Sequence, residues 1–234
     1  MNYLILNGKK SLEIQGLLIQ SLPPISKPLM RSQIDEIDGR DGDIITKLGF
    51  KAYDRPVKIG LTRYYNIDDV IEFFNSEGEV VFSNEPYKKY KYTILQQIDF
   101  ERLIRFRQAT VQFHCQPFKH STVEFPLEFG SEAVTEAIAI KNEGNYISKP
   151  TMTIYGSGNI TVWVNGVQIL AIELGSEGYI TIDAQEMEAF KGSVLKNRLV
   201  TGNYDNLALN QGRNLLSFTG NVTKVVIEKY SRWI

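Results

Sequence analysis

Asn165-Gly166 stands between two runs in which apolar and polar residues alternate, Ile160-Thr161-Val162-Trp163-Val164 before it and Val167 to Ile172 after it. Asn-Gly takes the positive φ angles of a type I′ turn, and period-two alternation on both sides is the mark of half-buried strands, so the segment is a β-hairpin. The same period recurs elsewhere. Val111, Phe113 and Cys115 alternate with Thr110, Gln112 and His114, and Met152 and Ile154 alternate with Thr151, Thr153 and Tyr155. A final strand is expected over Lys224 to Tyr230, entered through a turn at Gly220-Asn221. Helical patterning is sparse. Asn66 can cap a helix with Asp68 and Asp69 in its first turn, an apolar stripe of Ile67, Val70, Ile71 and Phe74, and a stop at Gly78. A second helical turn is expected over Ala184 to Phe190, capped by Asp183, with Met187 and Phe190 on one face. The chain is mainly β.

At 234 residues the length suits one large domain or two small ones. Pro117 ends the Thr110–Cys115 strand and Phe118 to Thr122 has no period, which sets a boundary before Pro126. We therefore expect domains over 1–120 and 121–234, the second of the size of a β-sandwich or jelly roll. A formal charge of −1 excludes a basic coat for polyanions. The N-terminus has no basic region and only four apolar residues in a row, which is not a signal peptide, and no apolar stretch is long enough to cross a membrane. Without a secretory signal, the sequons at Asn159 and Asn221 carry no meaning.

The reactive residues do not assemble into a motif. With one cysteine in the chain, neither an intrachain disulfide nor a cysteine-based zinc site is possible. On a strand, adjacent residues face opposite ways, so Cys115 points inward with Val111 and Phe113 and is an inert thiol, while His114 points outward. Asp35, Glu36, Asp38, Asp41 and Asp43 surround Gly39 and Gly42, but either glycine in the sixth position of a calcium loop places an isoleucine in the first. This is a turn between two strands, its carboxylates solvated or paired to Arg40. Gly156-Ser157-Gly158 lacks the Lys-Ser/Thr of a phosphate loop. Lys88, Lys89 and Lys91 interleave with Tyr87, Tyr90 and Tyr92, yet Tyr90, Tyr92 and Ile94 make one face and Lys91 and Thr93 the other, which is in–out alternation rather than a nucleic-acid platform. Trp163 lies beside Thr161 on the face opposite Ile160, Val162 and Val164. If that face is open, Trp163 is a sugar-stacking or protein-interface residue; if a loop covers it, it is packing.

The order of several short pieces resembles one family. They run Leu22-Pro23-Pro24-Ile25, Glu36-Ile37-Asp38-Gly39-Arg40-Asp41-Gly42, Ser83-Asn84-Glu85-Pro86-Tyr87 and Val111 to Phe118 in the first half. Asn142-Glu143-Gly144-Asn145, Pro150, Ile154 to Gly158, Asn165-Gly166, Ile180 to Asp183 and Gly212-Arg213-Asn214 follow in the second. Together they resemble the distal tail protein (Dit) family of long non-contractile-tailed (siphovirus) bacteriophages of Gram-positive hosts. The resemblance implies a mainly β chain: an N-terminal ring-forming β domain with one helix and a protruding hairpin arm, then a C-terminal galectin-like β-sandwich.

It further implies a structural hub of the phage tail tip, or baseplate, and not an enzyme, with no cofactor and no bound metal. Six copies would form a ring joining the tail tube protein to a tail-associated lysin or fibre protein and to receptor-binding proteins. DNA would pass through the bore unread, no membrane would be involved, and the virion would be assembled in the host cytoplasm. The second half is only as long as a bare sandwich, leaving no room for an inserted carbohydrate-binding module. In this frame the arm falls around Arg31 to Gly60, with Gly39, Arg40, Asp41 and Gly42 at its centre as subunit-interface candidates and Trp163 as a possible exposed interaction residue. The alternative is a stand-alone carbohydrate-binding sandwich resting on Trp163.

Overall fold

A computed structural model describes residues 1–234, the side chain of Ala133 apart. The chain divides into two compact units, Met1–Thr122 with Ile234, and Val123–Trp233.

The first unit is built on one antiparallel sheet. Its strands are β1 (Leu4–Leu6), β2 (Lys9–Lys10), β3 (Leu17–Ser21), β6 (Tyr53–Leu61), β7 (Glu77–Phe82), β8 (Lys88–Thr93) and β9 (Gln108–Ser121), in the order β2-β1-β7-β8-β9-β6-β3. Between β3 and β6 the chain leaves this sheet as a separate two-stranded ribbon, β4 (Met30–Asp35) and β5 (Ile44–Phe50). Alternation puts Val57, Ile59, Val111, Phe113, Cys115, Tyr90 and Tyr92 on the buried face. Phe113 is the centre of this core, meeting Tyr92, Phe82 and Phe74 at ring distances of 5.0, 5.9 and 6.5 Å.

Helix α1 (Ile67–Phe73) covers that face, and the Asn66 side chain accepts a hydrogen bond from the Asp68 N–H as its cap. Val70, Phe73 and Phe74 enter the core, whereas Ile71 stays outside. The expected stripe is thus rotated by one residue, and the helix ends at Phe73 because Gly78 is already inside β7. A further helix, α2 (Phe100–Phe106), lies outside the elements expected from the sequence; Asp99 caps it by accepting from the Arg102 N–H, and it is anchored by buried Leu103 with Phe100 packed against the same core. Pro117 does not end its strand. Its partner β6 has already run out beyond the Tyr53–Cys115 pair, and β8 shifts register between Tyr90 and Tyr92, so no ladder bond needs the missing N–H.

The second unit is a two-layered β-sandwich in which two long strands serve both layers. These are β12 (Thr151–Val164) and β18 (Gly212–Glu228). In one layer β10 (Leu127–Gly130) pairs the last part of β18, which pairs the first part of β12, followed by β14 (Tyr179–Asp183), β15 (Glu188–Lys191) and β16 (Val194–Leu195). In the other, β11 (Ile138–Asn142) pairs the first part of β18, which pairs the last part of β12, followed by β13 (Val167–Gly175) and β17 (Val200–Gly202). A short helix α3 (Ser131–Val134) links β10 and β11.

The long strands change layer where their register breaks, between Ser157 and Thr161. Glycine makes this possible. A Cβ on Gly156 would sit 2.1 Å from the Asn221 carbonyl oxygen, and one on Gly220 2.2 Å from that of Asn159. Gly220 is therefore a bend within β18 rather than the turn expected before a short last strand. Asn165 and Gly166, at φ 51° and 80°, form the expected hairpin turn. The expected helical turn after Asp183 is instead the β14–β15 hairpin: Asp183 Oδ1 does accept from the N–H groups of Gln185 and Glu186, but Met187 turns to positive φ and the chain pairs back.

Candidate assembly interface

The β4–β5 ribbon is the least self-sufficient part of the molecule. An isolated two-stranded hairpin is at best marginally stable in water, and this one has no third strand. Cross-strand pairing sorts its residues into two faces. Met30 opposes Phe50, Ser32 opposes Lys47 and Ile34 opposes Ile45, which makes one mostly apolar face; Arg31, Gln33, Asp35, Thr46 and Ile44 lie on the other. Ile34 is 56% exposed and Ile45 60%, and Leu29, Ile37 and Leu48 are exposed as well. So many large apolar side chains on one narrow ribbon make an exposed apolar surface of the kind that generally serves for interaction.

Gly39, Arg40, Asp41 and Gly42 form the tip of this ribbon, all exposed. A hydrogen bond of 3.1 Å from the Arg40 N–H to the Ile37 carbonyl closes the turn, and Gly39 and Gly42 take positive φ. Asp35 accepts a hydrogen bond from the Gln33 amide at 2.9 Å. Among the described residues no ion pair joins Arg40 to the surrounding carboxylates.

The root of the ribbon is held by a buried charge cluster. Arg55, on β6 just after the ribbon returns, is 1% exposed. Its guanidinium lies over the rings of Tyr90 and Phe82, 4.4 and 4.8 Å from their centroids, and donates to the Pro24 carbonyl at 3.2 Å and to Glu85 at 3.4 Å. Lys119 donates to the other Glu85 oxygen at 2.8 Å, and the Tyr90 hydroxyl also donates to Glu85. The neighbouring Asn84 amide donates to the Pro23 carbonyl at 2.9 Å. The outgoing and returning segments of the ribbon are thereby fixed to the same sheet. Burial pushes the Glu85 carboxyl up, but hydrogen bonds from Lys119 and Tyr90 and the charges of Lys119 and Arg55 outweigh it and hold the group below its ordinary range.

The other candidate residues are less well placed for chemistry. Cys115 is fully buried, and desolvation pushes its thiol up to about 12. We expect Cys115 to be inert to a thiol-reactive dye in native buffer and to react fully in denaturant; fast labelling of native protein would show that the thiol is accessible. His114 faces the other side of the sheet, its Nδ1 2.8 Å from Asp54 Oδ1 on the adjacent strand. Among the described residues no three His, Cys, Asp or Glu side chains gather as a metal site. Trp163 is half-buried on the face away from the sandwich core, and its indole N–H is buried without a hydrogen-bond partner.

No family model and no curated protein matches the sequence. Among solved structures, the SPP1 Dit protein, described as a paradigm of the hub adsorption apparatus in Gram-positive-infecting phages, aligns over 98% of this chain and 99% of its own, at 17% identity and a TM-score of 0.68. The chain has the Dit fold. Two chains from structures of the phage p2 baseplate in its activated conformation, with strontium and with calcium, align over 99% of both chains at 9% identity, with TM-scores of 0.47 and 0.46. The match to the Dit fold runs the length of both chains, so it takes in both units of this protein. It is a likeness of mainly β architecture.

Proposed function

We propose that the protein is a structural hub of a phage tail tip, not an enzyme, and that six copies close into a ring through the β4–β5 arm. One observation carries this reading: an isolated two-stranded ribbon with an exposed apolar face, anchored rigidly at its root by Arg55, Glu85 and Asn84. Such a ribbon is at best marginally stable on its own, and a ring of identical subunits would cover it by a head-to-tail contact that closes. The Dit fold supports the same role, because its solved example is described as a hub. In this reading the ring joins the tail tube protein to a tail-associated lysin or fibre protein and to receptor-binding proteins. DNA passes through the bore unread, and assembly takes place in the host cytoplasm before the protein becomes part of the virion. Gly39, Arg40, Asp41 and Gly42 reach the neighbouring subunit.

The test is the mass of the purified protein by light scattering across a range of concentrations, with negative-stain images of the largest species. A mass six times the 26.7 kDa of the chain and a six-fold ring are expected. Shortening Asp38–Asp43 is expected to weaken the ring and leave each monomer folded. A chain that stays monomeric at every concentration overturns the proposal.

A further inference from the structure

The tip of the arm is exposed and strongly acidic. Residues 35–43 hold five carboxylates against the single guanidinium of Arg40. Among the described residues none of the five is in an ion pair. A head-to-tail ring needs a second surface, different from the arm, on every subunit.

Helix α2 offers one. Leu103 pins it to the core, and one exposed side carries Arg102, Arg105 and Phe106 at helical spacing. Arg105 lies near the Phe106 ring, 5.7 Å from its centroid, and neither arginine is in an ion pair among the described residues. A recess of about 380 Å³ opens here, lined by Arg102, Arg105, Phe106, Asp99 and Glu101. Asp99 is occupied as the helix cap.

Placement fits a head-to-tail contact. The arm leaves the sheet at the end of β6 where Tyr53 pairs with Cys115 and Phe50 meets Phe118, with ring centroids 5.7 Å apart. Helix α2 is tied to the other end, where Gly60 pairs with Gln108 and the Leu61 N–H donates to the Arg107 carbonyl. The nine residues of β6 separate the two by roughly 30 Å. An arm leaving one end of a subunit can therefore reach the far end of the next without competing with that subunit's own arm.

We infer that the α2 surface, Arg102 and Arg105 with Phe106, is the docking site for the acidic arm tip of a second copy of this chain. The inference rests on the hub reading and names the acceptor surface within it. Apolar contact from Ile37 and charge pairing from Asp38 and Asp41 then act together.

The experiment is charge reversal with rescue, read by light scattering at several concentrations. Arg102→Glu with Arg105→Glu is expected to raise the concentration needed for assembly by about a hundredfold or more, a like-charge penalty of several kcal/mol by the usual conversion. Both residues are exposed, so the melting temperature should not move. Adding Asp38→Lys and Asp41→Lys to that variant is expected to restore most of the assembly. Rising salt should weaken the wild-type ring. A wild-type ring that R102E/R105E leaves unchanged, or a loss that the arm reversal does not rescue, overturns this inference and leaves the hub reading standing. A wild-type chain that never assembles overturns both.

Discussion

Replacing Ile34 and Ile45 together by Asp is expected to leave the protein monomeric without lowering the stability of the monomer. The two side chains face each other across the arm and are more than half exposed, so within one chain they contribute little to either core. In the proposed ring they are covered. Burying an isoleucine is worth about 1.5–3 kcal/mol, and a carboxylate in the same place must instead be stripped of water. The pair of changes therefore costs several powers of ten in the association constant. Light scattering reads the loss of the ring, and thermal unfolding of the diluted wild type and of the variant reads the unchanged fold. An intact ring in I34D/I45D would show that the apolar face of the arm is not the contact.

Glu85→Gln is expected to destabilise the first unit by about 3–5 kcal/mol, the range for breaking a buried ion pair from one side. Glutamine nearly preserves the shape, but Arg55 and Lys119 are then two buried cations with no counter-charge. Loss of the cluster also frees the Arg55 contact to the Pro24 carbonyl, so the arm root loosens and assembly weakens.

The same carboxyl makes the unit acid-sensitive. Its folded pKa lies below the ordinary value of 4.5, so the stability it contributes is fully present above that value and is lost as the pH falls through the folded pKa. Denaturant titrations between pH 6 and pH 3 are expected to show the wild type losing stability on acidification and E85Q losing less. Equal acid dependence in the two proteins would remove Glu85 as the source.

The hairpin at Asn165-Gly166, the inward face of Val111, Phe113 and Cys115, and the Asn66 cap were legible in the sequence because each is a local matter. A turn that needs positive φ, an alternation along one strand and a side chain capping the next N–H are all settled within a few residues. Helix α2 was not, although Asp99 and Glu101 sit where a cap and a first-turn acid belong. At seven residues its apolar stripe of Phe100, Leu103 and Ile104 spans barely one turn, too short to stand out against the strands around it.

The single long β18 was also illegible. A glycine-asparagine pair reads as a turn, and only contact with Asn159 on another strand makes Gly220 a bend. The arm divides the same way. Two strands around a glycine-rich acidic turn are written in residues 30–50. That no third strand joins them among the described residues depends on where β3 and β6 pair, and so does the exposure of Ile34 and Ile45 instead of their burial in a core. Local conformation follows from the residues that adopt it, whereas burial is a property of what the rest of the chain leaves uncovered.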